Sequence, residues 1–203
     1  IQSISSLVQT LRDKGIDVKV MLLSKGANTQ GAMDVGLLPG YYPGYKKIDN
    51  VCLSGWEMLD KAGIDISTLW LMGQDPASNM LYSGNFKNSL SKLDLLIVQD
   101  YFLTETAKMA HVVLPNCTFA ETKGTFTNTE RRIQRINPAI RRIKDSNPDT
   151  EIIQKAALLA GADDFGYARI EEIFEEITQV VPAYNGISYD SLGPWGRQWE
   201  VRG

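Results

Sequence analysis

Leu95 to Gln134 reads LLIVQDYFLTETAKMAHVVLPNCTFAETKGTFTNTERRIQ. An apolar run from Leu93 to Val98, interrupted only by Asp94, stops on Gln99-Asp100 and gives way to Thr104-Glu105-Thr106, a helix start. A second apolar run, His111 to Leu114, closes on Pro115-Asn116. These are two buried strands, the first leading into a polar turn of the kind that faces a ligand. From Gly124 to Arg132 threonines alternate with Phe126 and Asn128, and Phe119 to Gln134 as a whole predicts two antiparallel strand pieces with Gly124 as the turn between them.

Towards the N-terminus the same grammar repeats. Ile4, Leu7, Val8 and Leu11 share one helical face, so residues 1–14 read as a helix stopped by Gly15. Val18 to Leu23 reads as a short strand, followed by the glycine-rich Ser24 to Gly40. Tyr41 to Val51 is turn-rich, Gly55 to Gly63 a short helix, Thr68 to Met72 a strand, and Asn79 to Leu90 helix-compatible. Strands alternating with helices predict parallel βαβ units with right-handed crossovers.

In such a sheet the strand ends Gly26–Gly31, Gly73–Ser78 and Gln99–Thr106 converge on one crevice, where backbone N–H groups approach phosphates closely. Asp75 and Asp100 would accept from ribose hydroxyls or a guanine edge; alternatively both only cap helices. The glycine spacing matches neither GxGxxG nor a P-loop, so a ligand-free loop is an equal reading for Gly26–Gly31.

Composition sets the outer limits. At 203 residues, 43% hydrophobic, 22% charged and with net charge -3, the chain is long enough to bury a core and has no global basic field of the kind nucleic acids attract. No apolar run reaches the ~18 residues of a membrane span. The first residue is Ile1 rather than Met, which reads as a processed chain or a piece of a longer protein. Cys52 and Cys117 are too far apart for a metal motif, and His111, the single histidine, reads as a core or edge residue.

Beyond Pro115 the chain changes character. Arg131, Arg132, Arg135, Arg141 and Arg142 make one basic section, read as a solvated face or a contact with phosphate or another part of a larger protein. Thr150 to Ala160 and Ala168 to Val180 read as amphipathic helices, and Val181 to Gly203 shows no clear element. The expected fold is therefore α/β: three αβα layers around a mostly parallel, doubly wound sheet of dinucleotide-binding type, with a small antiparallel β extension and C-terminal helices. Residues 1–118 would form the dinucleotide-binding lobe and 119–203 an extension packed on it.

The stretch VQDYFLTETAKMAHVVLPNCTFAETKGTFTNTERRIQ resembles the molybdopterin oxidoreductase superfamily, and within it the formate dehydrogenase catalytic (alpha) subunits. Asn28-Thr29-Gln30-Gly31-Ala32-Met33-Asp34-Val35-Gly36, Met72-Gly73-Gln74-Asp75-Pro76, and the tail from Glu171 through Ile173-Phe174 to Pro182, Tyr184 and Gly186-Ile187-Ser188-Tyr189 agree in the same order, over nearly the whole chain. The resemblance implies a lobe that holds one of two molybdopterin guanine dinucleotides, carrying molybdenum or tungsten. The parent enzyme would oxidise formate to carbon dioxide and pass electrons through a 4Fe-4S cluster that this piece does not bind.

It carries over Gly73, Gln74, Asp75, Gln99 and Asp100, with Thr104 and Thr106 near them, as cofactor contacts, and the glycine-rich stretch adds Lys25, Asn28, Gln30 and Gly31. The family's four-cysteine motif and its catalytic Cys-His or selenocysteine-His pair have no counterpart, so no catalytic or metal residue is expected in this chain. Many formate dehydrogenases carry an Arg-Gly-Gln-Asn run before the Gln-Gly; Ser24 to Gly31 is about one residue shorter and has Lys25 instead, whose compact ammonium does not reproduce a bidentate guanidinium. That departure raises the alternative of the large iron–sulfur subunit of NADH:quinone oxidoreductase, a scaffold without pterin. Implied partners are the remaining domains of the catalytic subunit, toward whose cluster-bearing part Glu121 to Arg132 would pack, and iron–sulfur electron-transfer subunits. Neither nucleic acid nor membrane is expected as a partner, the location expected is the cytoplasm, and apolar surface left open would favour self-association.

Overall fold

The computed structural model describes residues 2–21, 23–78, 83–143 and 145–199. Its helices are α1 (Gln2–Asp13), α2 (Thr29–Asp34), α3 (Gly55–Lys61), α4 (Ser83–Leu90), α5 (Asp149–Leu159) and α6 (Ile170–Val180). Its strands are β1 (Tyr41–Tyr42), β2 (Lys46–Lys47), β3 (Thr68–Met72), β4 (Leu95–Asp100), β5 (Val112–Pro115), β6 (Gly124–Thr127), β7 (Arg132–Ile136) and β8 (Arg197–Gln198).

β3, β4 and β5 pair in parallel, in that order. Leu96 and Val98 are fully buried on β4, where they meet Leu59 of α3, Leu69 of β3 and Phe86 and Leu90 of α4. α3 starts where the sequence offers a capping box: Ser54 Oγ accepts from Glu57 N at 3.3 Å while Glu57 Oε2 accepts from Ser54 N at 2.7 Å. A separate antiparallel sheet joins β6, β7 and β8, and with α6 and the tail it encloses a second core around Ile133, Phe174, Val181, Tyr184, Leu192 and Trp199. The α/β class, the parallel sheet, the antiparallel extension and the C-terminal helices are as the sequence predicts.

Three local expectations are corrected. Val18 to Leu23 is not a strand in its described residues: no strand pairs with it there, and Val20, Met21 and Leu23 lie 47%, 58% and 85% exposed. Apolar β-branched residues make a strand only where an edge takes their N–H and C=O groups. Gly124 opens β6 instead of turning the chain, and the turn is made by residues 128–131. There Asn128 Oδ1 accepts from Glu130 N and Arg132 N, each at 3.0 Å, so an asparagine does what glycine was expected to do.

The tail from Val181 is an integral part of the second core, with Tyr184 and Leu192 each 2% exposed and β8 paired to β7. Within Glu121 to Arg132, Glu121 and Thr127 are buried in this chain, and Lys123, Glu130 and Arg131 are exposed. The N-terminal glycine-rich region joins the same core. Asn28 Oδ1 accepts from Thr127 N at 2.8 Å, and a Cβ on Gly31 would meet Asn28 Oδ1 at 2.2 Å, so only glycine allows that approach.

Candidate functional site

Parallel strands end together, and the register places Met72 beside Gln99 and Gln99 beside Leu114. Two of the three expected loops meet at this edge. Gly73 N donates to Gln99 O at 2.9 Å, and Asp75 Oδ1 accepts from Thr106 N at 2.9 Å and Thr106 Oγ1 at 2.6 Å. Thr106 Oγ1 also accepts from Ala77 N at 3.0 Å, and Ser78 Oγ donates to Asp75 Oδ2. Desolvation works against the Asp75 charge, but the Ser78 and Thr106 donors outweigh it and hold the carboxyl below the usual carboxylate range.

Asp75 thus ties the two loops to each other. Asp100 Oδ1 accepts from Phe102 N at 3.0 Å, and Thr104 Oγ1 accepts from Ala107 N at 3.1 Å to start a single 3-10 turn where a helix was expected. Gly73 and Gln74 are exposed, and Gln74 and Asp75 rim a cavity of about 410 Å³ lined by Trp56, Leu69, Trp70 and Phe86.

The third loop goes elsewhere. The side-chain hydrogen bonds of Asn28 and Gln30 run to Thr127, Asp34 and Tyr45, Lys25 O accepts from Thr29 Oγ1, and Gly31 packs on Asn28 and Thr127, all beside the second core. At that core Asp34, 0% exposed, accepts from Gln30 Nε2 at 2.8 Å, Tyr45 OH at 2.7 Å and Tyr184 OH at 2.8 Å. Burial first, and then the Asp34 carboxylate, push the Tyr45 hydroxyl well above the ordinary tyrosine range. Burial also pushes the Tyr184 hydroxyl up, with the Thr127 bond opposing and Asp34 adding to the rise, so both stay protonated donors.

Sequence reasoning named Gln99 but missed Asn116 and Asp149, which complete the strand-end edge. Gln99, 0% exposed, donates through Nε2 to Asp149 Oδ1, and Asn116 Nδ2 donates to the same oxygen at 2.6 Å. Cys117 N donates to Asn147 O and Asn147 N to Pro115 O, which draws the start of α5 against the end of β5 and delivers Asp149 to the edge. The carbonyl oxygens Gln99 Oε1 and Asn116 Oδ1 are buried and accept from no donor among the described residues. A strand closing on Asn116 was a visible signal; Asp149 was visible only as an acidic helix start after Pro148.

His111 does what an edge histidine does: its Nδ1 accepts from Leu96 N at 2.9 Å. No group of three or more His, Cys, Asp or Glu side chains is placed for a metal ion among the described residues, and no described helix is long and apolar enough to cross a membrane.

The fold and this edge define an α/β protein with a polar site at the ends of parallel strands. The sequence pattern of the Molybdopterin oxidoreductase family matches residues 1–157, and the chain belongs to that family. Among its relatives, the F420-dependent formate dehydrogenase 1 subunit alpha of Methanococcus maripaludis is 41% identical over 192 residues, which cover 86% of this chain and 28% of that protein. The F420-dependent formate dehydrogenase subunit alpha of Methanocaldococcus jannaschii is 42% identical over 189 residues, 85% of this chain and 28% of that one. The chain therefore spans little more than a quarter of the length of these relatives. The acetylene hydratase of Pelobacter acetylenicus shares the fold, with a TM-score of 0.55 at 15% identity, over 71% of this chain and 20% of that one. These matches lend no support to the NADH:quinone oxidoreductase alternative.

Proposed function

We propose that this chain is the lobe of a formate dehydrogenase catalytic subunit that holds the guanine end of one molybdopterin guanine dinucleotide. The observation that carries the reading is the pair of unpartnered acceptors, Gln99 Oε1 and Asn116 Oδ1, flanking Asp149 at the ends of β4 and β5. Guanine presents N1–H and N2–H₂ along one edge, and buried acceptors without donors are what such an edge satisfies. Asp149 holds both amides in place, Asp75 and Thr106 lock the adjoining loops, and the exposed backbone at Gln74, next to a Gly73 N–H already bonded to Gln99 O, suits a phosphate. When bound, the molybdenum or tungsten cofactor supplies the two-electron chemistry that takes formate to carbon dioxide, with electrons leaving through a 4Fe-4S cluster in the parent enzyme.

Asn28, Gln30, Gly31 and Lys25 belong in this reading to the wall that the second core presents to the cofactor's other end. The residues of the dinucleotide-binding lobe, 1–118, and of the extension, 119–203, work as one support. Ile4, Leu7, Val20, Met21 and Leu23 lie open, the surfaces that the remaining domains of the catalytic subunit would cover and through which a lone piece would self-associate.

Calorimetry with GDP and ADP tests the reading, because the two share their phosphates and differ in the base. GDP should bind more tightly, and Asp149→Ala should abolish the difference. Equal affinity for the two nucleotides would contradict a guanine site.

A further inference from the structure

A cavity of about 610 Å³ opens on the second core, lined among others by Asp34, Tyr45, Asn185, Arg197, Gln198 and Trp199. Its polar groups divide into those already bonded and those left over. Asp34 receives three hydrogen bonds and has no exposed surface, and Gln198 Nε2 donates to Glu130 O at 2.6 Å. Left over are donors. Neither Arg131 nor Arg197 has a carboxylate partner among the described ion pairs. Trp199 is 9% exposed, and its indole N–H meets no acceptor among the described residues.

Strand pairing brings these donors together. Arg197 lies opposite Ile133, and Trp199 N donates to Arg131 O at 3.0 Å, so the pairing carries Arg131 and Trp199 to one end of the β7–β8 pair, two positions from Arg197. The Arg131 guanidinium stands 5.4 Å over the Trp199 ring. The approach needs unusual backbone: Gly196 has φ +70, and a Cβ there would sit 2.2 Å from Ile133 O. Arg131 has φ 63, the left-handed position that closes the hairpin turn of residues 128–131, where its N–H donates to Asn128 O at 2.8 Å.

We propose that a small oxyanion, a phosphate or carboxylate group, binds at the mouth of this cavity, held by Arg197 of its lining and by Arg131, which stands over the lining Trp199, with the Trp199 N–H as the third donor. Two guanidinium charges outnumber the single Asp34 charge, which is masked behind Gln30, Tyr45 and Tyr184.

The 203-residue chain is titrated calorimetrically at low ionic strength with inorganic phosphate and, in parallel, with acetate; the tighter of the two identifies the group. The expected result is one saturable site, weakened about ten-fold by Arg197→Gln and by Arg131→Gln, the scale of a lost charge-assisted hydrogen bond. Trp199→Phe keeps an aromatic ring beneath Arg131 but removes the N–H together with part of the buried indole, and should weaken binding several-fold with a lowered melting temperature. Arg12→Gln, on α1, should leave binding intact. Absence of saturable binding for both anions overturns the proposal, as does an Arg197→Gln variant that binds as the parent chain does. The variants lie outside the strand-end edge, so failure here leaves the guanine reading standing.

Discussion

Asp34 and Gln99 are both wholly buried, and each stands at the centre of a polar cluster, one on the antiparallel core and one at the end of the parallel sheet. Around Asp34 the bonds close: Gln30, Tyr45 and Tyr184 all donate, and Thr127 Oγ1 continues the network to Tyr184 at 2.7 Å. Around Gln99 they do not, since Asp149 takes the amide donors and two carbonyl oxygens stay without partners. A closed network rigidifies the chain that carries it, whereas an open one loses stability unless something else completes it. The difference supports the proposal that the first centre is scaffolding and the second takes a ligand.

The largest effect should come from opening the closed centre. Asp34→Ala strands three donors and should cost about 3 kcal/mol. That is roughly 6–12 °C in melting temperature for a chain of this size. A loss below about 1 kcal/mol would show that the Asp34 network is not a stabilising unit. Tyr184→Phe keeps the ring packed and removes one bond to Asp34 and one to Thr127; about 1.5 kcal/mol should be lost in a denaturant titration.

A smaller effect is carried by pH. Donation from the Thr118 and Ile143 backbone N–H groups holds the Glu121 carboxyl below the usual carboxylate range. The folded chain therefore releases that proton more readily than the unfolded one. The resulting stability is present above the ordinary glutamate pKa, about 4.3, and lost as pH falls through the folded value. Melting curves taken below about pH 4.3 should fall more steeply for the parent chain than for Glu121→Gln. The smallest change in stability should come from the open centre. Gln99→Leu removes a bond to Asp149 together with an unpartnered oxygen, and its unfolding free energy should stay within about 1 kcal/mol of the parent. A loss as large as that of Asp34→Ala would erase the distinction between the two centres.

Local pattern sufficed where local forces decide. Thr68 to Met72 was legible to the residue because its apolar run and its ladder coincide. β4 lies two residues later than its apolar run, because Leu93 is buried before pairing begins and the ladder continues into Gln99 and Asp100. The expected meeting of Gly73–Ser78 with Gln99–Thr106 followed from parallel strands ending together, a rule of topology. What escaped depends on distant partners: Gln99 to Asp149 spans 50 positions and Tyr184 to Asp34 spans 150. Neither leaves a periodic trace, and the same holds for the placement of Asn28 against Thr127 and for a tail whose buried aromatics follow no helical or strand period.

The central claim is tested most directly by an amide chemical-shift map of the chain titrated with guanosine, which lacks phosphate and so reports the base alone. The account predicts shifts at the side-chain amides of Gln99 and Asn116 and the backbone amides near Asp75, Thr106 and Asp149, with the Asp34 centre unmoved. Shifts confined to Asn28, Gln30 and Tyr184, or no saturable shift at Gln99 and Asn116, would contradict it.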